Sequence, residues 1–167
     1  MNEVSERHTR APLTVGRALF YGMLVVGSLD MLDAIVFFGL RGVPPIAILH
    51  SVASGLLGRA AYRGGASTAC LGLLLHYFIA FMIVATYSVA SRRWPALTRR
   101  PVLYGPLYGV IVYGVMNFVV VPLSAAVTGH LSPPVIANGV LIHILGVGTP
   151  SVLFARASAA GATQTRS

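Results

Sequence analysis

Four long apolar stretches dominate the sequence and limit its fold more than any other feature. They cover residues 14–40, 66–90, 102–127 and 133–156. A helix needs about 20 apolar residues to cross the hydrocarbon core of a bilayer, and each stretch reaches that length. Of the four acidic residues, only Asp30 and Asp33 lie inside them. The pattern predicts an all-α fold, a polytopic membrane helix bundle with four transmembrane helices.

The four stretches and their connections use nearly the whole chain. With 56% hydrophobic and 10% charged residues, the sequence is far more apolar than a soluble domain of 167 residues. The bundle is expected to occupy residues 14–157, after a cytoplasmic N-terminal tail at 1–13. Residues 158–167 are small and polar, which predicts a disordered C-terminal tail.

The basic residues predict the orientation of the bundle. All of them are arginines, because the sequence contains no lysine. Nine lie before or at the start of the first stretch, between the second and third, or at or beyond the end of the fourth: Arg7, Arg10, Arg17, Arg92, Arg93, Arg99, Arg100, Arg156 and Arg166. Short cytoplasmic loops are rich in Lys and Arg, so both termini are expected in the cytoplasm. Arginines at span ends contact lipid headgroups, and the expected partner is the bilayer, not nucleic acid.

Residues 44–62 form a further apolar segment that allows two topologies. At 1.5 Å per residue it is about 28 Å long as a helix, which is enough for a fifth transmembrane helix. A fifth span would, however, move a cluster of arginines to the wrong side of the membrane. The segment also has an apolar face and a face of His, Ser and Gly. It is therefore interpreted as a short re-entrant or interfacial helix on the outer side, with five spans as the alternative.

Polar side chains inside the spans provide the candidate site. Ionisable groups there cost about 2.5–3.5 kcal/mol on insertion scales and usually face protein or water. One polar residue from each span lies about 15 Å below the outer boundary, near the middle of a core about 30 Å thick. These residues are Asp30, His76, Asn117 and His143. Asp33 lies one turn farther out than Asp30, toward the short helix that carries His50. Together the six residues form the candidate intramembrane polar cluster.

The sequence favours a structural or interaction bundle, and two other functions stay open as alternatives. In the first interpretation its members hydrogen-bond to one another and fix helix register, as in a structural or interaction bundle. The alternative is a small-solute or proton-linked transporter, because intramembrane Asp and His exchange protons near neutral pH. The second alternative is a haem- or metal-binding protein, with His76 and His143 as ligands. Two ligands without an HxxxH or CxxC companion are a weak basis for such a site, so the sequence predicts no cofactor but does not exclude one.

Other motifs add less. Gly105 and Gly109 form a GxxxG motif, which favours close helix packing and suggests a homo-oligomer through this pair. Cys70 is the single cysteine and lies in a span, so an intrachain disulfide is impossible. The sequence has no nucleophile–base spacing, phosphate loop or paired catalytic carboxylates, and an enzyme is therefore not expected.

A set of short motifs between residues 66 and 156 resembles a known group of proteins. The motifs are Leu75-His76-Tyr77, Thr86-Tyr87, Pro122, Pro133-Pro134 and His143-Ile144-Leu145-Gly146. They are similar to those of the YagU-like and related uncharacterised bacterial inner-membrane proteins. The resemblance implies a four-span topology and a bacterial inner-membrane location. It implies no activity, so it assigns no role to any residue.

Overall fold

The computed structural model describes residues 13–129 and 131–164, with side chains through Ala159, and this part of the chain is entirely helical and irregular, without β-strands. Four helices are long and apolar enough to cross a membrane: Val15–Gly39, Gly65–Arg93, Pro101–Leu123 and Pro133–Ala159. They are named here the first to fourth membrane helices. The all-α bundle with four membrane-spanning helices is confirmed.

The connections and local irregularities are short. The first and second membrane helices are joined by the short helix Pro45–Leu57 and a 3-10 turn at Gly58–Arg63, and Ala96–Arg99 is a single turn before the third. Two membrane helices each contain a π-helical segment, Met116–Val120 in the third and His143–Gly148 in the fourth. Prolines at or just inside the starts of several helices supply a fixed φ where no intrahelical N–H bond is needed.

The outer surface of the bundle is apolar on all sides. The four helices have a mean hydropathy between 1.6 and 2.1, and large apolar side chains such as Phe78, Val102 and Phe118 are exposed. Soluble proteins bury such side chains, because exposing them to water costs free energy in proportion to their area. A helix that is apolar all round suits lipid. The protein is therefore an integral membrane protein.

The core is built from small residues where helices cross. Val26, Ala80, Val84, Val112 and Val147 pack together and bring one or two residues from each membrane helix to the centre. The first helix packs on the second and the fourth, and the third packs on the fourth. The second and third helices are not closely packed backbone to backbone.

The short helix packs along the second membrane helix. Its 13 residues correspond to about 20 Å, which is less than the core thickness of a bilayer. Gly72 permits the contact, because a Cβ at this position would overlap the carbonyl of Leu49. The segment after the third helix also bonds to it, with the Ala125 N–H donating to the Gly55 carbonyl at 2.9 Å. Non-helical backbone is thereby satisfied at this end of the bundle.

Two boundaries differ from the sequence-based prediction. The third helix ends at Leu123 and not near residue 127, because Ser124 turns the chain into an extended conformation that bonds to the short helix. The last helix continues to Gln164, beyond residue 158 where the disordered tail was expected to begin. Residues 1–12, His130 and residues 165–167 lie outside the described residues, so most of the predicted N-terminal tail does too.

The GxxxG pair of the third helix faces the fourth helix of the same chain. Gly105 lies against Thr149, and a Cβ on Gly109 would overlap the carbonyl of His143. Both glycines are buried. This surface is therefore already occupied within one molecule, and a homo-oligomer would have to use another face.

Candidate functional site

A cavity of about 420 Å³ lies between the membrane helices and the short helix. Each of the four membrane helices contributes one polar side chain to its wall: Asp30, His76, Asn117 and His143. The remaining wall is mostly apolar. One end of the cavity is lined by Ser51 and Gly55 of the short helix and by Ser124, which follows the third membrane helix. The four residues that the sequence places at a common depth thus share one cavity.

Asp30 and His143 form the closest pair of ionisable side chains in this cavity. Asp30 Oδ1 lies 3.9 Å from His143 Nδ1, and the two side chains are 30% and 16% exposed. His76 and Asp33 also act electrostatically on Asp30. No side chain or backbone N–H of the described residues donates a hydrogen bond to the Asp30 carboxylate. A carboxylate accepts several hydrogen bonds, so its capacity is unused here.

His76 is fixed by the first membrane helix. Its Nε2 lies 2.7 Å from the carbonyl oxygen of Gly27. A carbonyl oxygen only accepts, so Nε2 carries the proton. Gly27 allows the two helices to approach, because a Cβ there would meet the ring of Tyr77 at 2.7 Å. The hydroxyl groups of Tyr77 and Ser28 lie 2.9 Å apart and form a hydrogen bond between the same two helices.

Asn117 lies at the start of the π-helical segment of the third helix. Its Nδ2 donates to the Tyr113 carbonyl, one turn earlier, at 2.9 Å. The segment closes with an i to i+5 bond from the Val121 N–H to the Met116 carbonyl. Such wide turns redirect side chains and occur often at functional sites. Here the turn and the bond together orient the amide, with Nδ2 on the backbone.

His143 begins the corresponding segment of the fourth helix. Its Nδ1 donates to the Gly139 carbonyl, again one turn earlier, at 2.8 Å. The Thr149 N–H closes the π-helical segment on the Ile144 carbonyl, which the Thr149 hydroxyl also binds at 2.8 Å. Asn117 and His143 are therefore positioned in the same way, each by a π-helical segment and by a bond to the carbonyl one turn earlier.

The prediction for Asp33 is only partly correct. It lies one turn beyond Asp30, but it is not paired with the short helix. Asn138 Nδ2 of the fourth helix donates to Asp33 Oδ2 at 2.7 Å. The first and fourth helices run side by side. Two successive pairs of side chains link them, Asp30 with His143 and Asp33 with Asn138. Asn138 was not among the residues predicted from the sequence, although it lies just over one turn before His143, on the outward side where Asp33 lies relative to Asp30.

His50 does not belong to the cavity. Its Nε2 bonds to the Gly65 carbonyl at 2.9 Å, and its ring lies against Tyr62 with centroids 6.0 Å apart. The side chain is buried on the face of the short helix that meets the start of the second membrane helix. The amphipathic pattern predicted which face of the short helix is polar, but it did not predict which segment that face packs against. His50 holds the short helix against the 3-10 turn.

The cavity walls do not form a metal site of three protein ligands. Within the described residues, no three His, Cys, Asp or Glu side chains are grouped closely enough to hold a metal ion. Cys70 is exposed on the second helix and does not line the cavity. The two histidines line the cavity from different helices, and each has one nitrogen bound to a backbone carbonyl.

The four cavity side chains do not hydrogen-bond to one another in this structure. His76, Asn117 and His143 each bind a backbone carbonyl, and Asp30 approaches only His143. A structural cluster of the kind considered from the sequence would join its polar groups directly. In the observed arrangement, the remaining polar atoms of these side chains make no hydrogen bond to another described residue.

Comparison of the chain with protein-family models, with curated proteins and with solved structures found no match.

Proposed function

We propose that the protein is a small-solute transporter whose binding site is the cavity between the four membrane helices. The observation that carries this proposal is the Asp30 carboxylate, which lines the cavity without a hydrogen-bond donor among the described residues. An ionisable group inside a membrane is costly and usually serves a substrate or proton pathway. Sites for small molecules combine a mostly apolar wall with a few polar groups, as this cavity does.

A structural role for the cluster is the second candidate. It is supported by the bonds of His76, Asn117 and His143 to backbone carbonyls, which tie helices and turns together. Those bonds account for three side chains. They do not account for Asp30, whose removal would break no hydrogen bond of the described residues. The transporter proposal accounts for all four.

A link to protons is supported by the pair of Asp30 and His143. The two groups are 3.9 Å apart and partly accessible from the cavity. A proton bound by this pair cancels the negative charge of the site, and its release restores that charge. A positively charged solute and a proton would then compete for the same carboxylate. Such competition is the basis of proton-linked exchange.

We further propose that the protein lies in a bacterial inner membrane with both termini in the cytoplasm. The support is the position of the arginines. Arg17 lies at the start of the first helix, Arg92 and Arg93 at the end of the second, and Arg156 near the end of the fourth. Leu97, in the turn before the third helix, packs against the cluster of Tyr87, Val152 and Ala155, and Phe154 lies against Gly22 of the first helix, so these helix ends share one side. The YagU-like resemblance stays a prediction about the same setting.

Thiol labelling tests the proposed cavity and orientation together. In a Cys70→Ser background, Asn117→Cys and Phe118→Cys place a thiol at neighbouring positions of the third helix. Asn117 lines the cavity, whereas Phe118 is 75% exposed on the lipid-facing surface. Reactive thiolate forms in water but not in hydrocarbon. A membrane-impermeant thiol reagent added to intact cells is expected to label Asn117→Cys at least tenfold faster than Phe118→Cys.

Two results would count against the proposal. Equal, background labelling of both variants would mean that the cavity is closed to water, as in a structural bundle. Labelling of Asn117→Cys only in inside-out vesicles would mean that the cavity end formed by the short helix faces the cytoplasm, which reverses the orientation.

A further inference from the structure

We infer that the solute is an organic cation that carries N–H donors, such as a primary ammonium or an amidinium, on an apolar body. This inference rests on the proposed function, because it names the substrate class of the same cavity. It follows from counting which hydrogen-bonding atoms the protein has already used and which it leaves for a ligand.

The two histidines leave acceptors to the cavity. His76 uses Nε2 as the donor to Gly27, and His143 uses Nδ1 as the donor to Gly139. In a neutral imidazole only one nitrogen carries a proton. Nδ1 of His76 and Nε2 of His143 therefore carry lone pairs and act as hydrogen-bond acceptors. Neither ring has a second N–H to offer a ligand unless it takes up a proton.

The uncharged polar side chains leave mostly acceptors. Asn117 uses one of its two Nδ2 protons on the Tyr113 carbonyl, so its Oδ1 and one N–H stay available. The hydroxyl of Ser51 donates to the Ile48 carbonyl at 2.7 Å, and that of Ser124 donates to the Val121 carbonyl at 2.8 Å. Each hydroxyl has a single proton, so only oxygen lone pairs are left, and the Ser124 oxygen already accepts from the Ala126 N–H at 3.2 Å.

The cavity thus presents acceptors and one negative charge. Each imidazole and each hydroxyl in its wall has spent its one donor on a backbone carbonyl, the Asn117 amide keeps a single N–H, and the Asp30 carboxylate has no donor while ionised. A ligand rich in acceptors would leave these groups unpaired in a medium of low polarity, which is costly. A ligand with donors and positive charge satisfies them. A bare metal ion fits less well, because no three ligating side chains are grouped.

The apolar part of the solute follows from a second groove. This groove, of about 310 Å³, runs between the second and third membrane helices, which are not closely packed. Ile79, Ile83, Met116 and Val120 line both the groove and the central cavity. The cavity and the groove therefore adjoin through apolar side chains, and an apolar body bound beside Asp30 would meet an apolar wall on this side.

A primary ammonium on an apolar body can come from two sources, a water-soluble amine or the headgroup of an aminolipid. Both offer three N–H donors and a positive charge. Nanodiscs of phosphatidylcholine, with or without phosphatidylethanolamine, distinguish the sources. If the lipid is the natural ligand, adding phosphatidylethanolamine weakens the binding of a soluble ammonium by competition.

Three matched probes test the inference on the unmodified protein in phosphatidylcholine nanodiscs. Benzylammonium has charge and donors, benzyltrimethylammonium has charge without N–H donors, and benzyl alcohol has a single donor without charge. A charged hydrogen bond contributes about 1.5–3 kcal/mol, or roughly ten- to a hundredfold in affinity. We expect calorimetry to show benzylammonium binding at least tenfold more tightly than either other probe. Asn117→Leu should reduce this preference, and Phe118→Ala should not.

Several results would overturn the inference. Equal affinity for the two cations would mean that charge alone is recognised, and equal affinity for benzyl alcohol would mean that Asp30 is not the anchor. Absence of binding by all three probes overturns it as well. If Asn117→Cys still reacts with the impermeant thiol reagent in that case, the cavity is an aqueous site for another class of solute and the proposed function stands. If Asn117→Cys is unreactive, the proposed function fails instead.

Discussion

Replacing Gly148 with alanine is expected to lower the free energy of unfolding by about 2–3 kcal/mol, the upper part of the range for overpacked sites. Gly148 lies where the third and fourth membrane helices touch backbone to backbone. A Cβ at this position would overlap the carbonyl oxygen of Gly105 and the backbone of Gly109. Backbone atoms of two helices cannot rotate away as a side chain can, so the helices must separate.

Thermal unfolding in detergent, followed by circular dichroism, measures this effect. Gly114→Ala is the matched control in the third helix, because nothing lies within 4 Å of a Cβ built at that position. Alanine has a higher helix propensity than glycine, so the control is expected to be neutral or slightly stabilising. If the two variants unfold alike, the glycine-mediated crossing does not form, and the position assigned to His143 loses its support.

Asp30→Asn is expected to abolish the binding of benzylammonium while leaving the fold intact. The amide keeps the shape of the carboxylate but removes its negative charge. Since no group of the described residues donates a hydrogen bond to Asp30, the substitution breaks none, and the free energy of unfolding should change by less than about 1 kcal/mol. Loss of the charged contact should lower the affinity for benzylammonium at least a hundredfold, because Coulomb attraction is strong in a site of low dielectric constant.

Calorimetric titration and thermal unfolding on the same preparation separate the two roles of Asp30. Asp30→Ala serves as a second variant, which is expected to lose stability because it also leaves an unfilled space. A structural role would give the opposite pattern for Asp30→Asn, with a large loss of stability and unchanged ligand affinity. That pattern would favour the bundle held by polar contacts.

The sequence was sufficient for the coarse architecture and for part of the site. Apolar length alone identifies four membrane helices, because lipid requires every backbone group to be bonded within a helix. Depth along a helix follows from a fixed rise per residue, so Asp30, His76 and His143 could be assigned to one level. Asn117 was also predicted there, and it lines the same cavity although its helix ends earlier than expected.

The remaining features depend on contacts between distant segments. The direction of His50 was not predictable, because it depends on how the short helix docks against Gly65. The pairing of Asp33 with Asn138 required knowing that the first and fourth helices are neighbours. The π-helical segments, which begin at Met116 and His143, have no simple sequence signal. The cavity itself is the space left after packing, which residue patterns do not encode.

The central claim is that His76 and His143 each donate their single N–H to the backbone and offer an acceptor to the cavity. Determining which nitrogen of each ring is protonated tests this claim most directly. Solid-state ¹⁵N NMR of histidine-labelled protein in bilayers distinguishes the two neutral tautomers. With both imidazoles neutral, we expect a proton on Nε2 of His76 and on Nδ1 of His143. His76→Asn and His143→Asn assign the signals. The opposite tautomer at either residue would contradict the account, because that ring would then present an N–H donor to the cavity and leave the carbonyl of Gly27 or Gly139 without its side-chain partner.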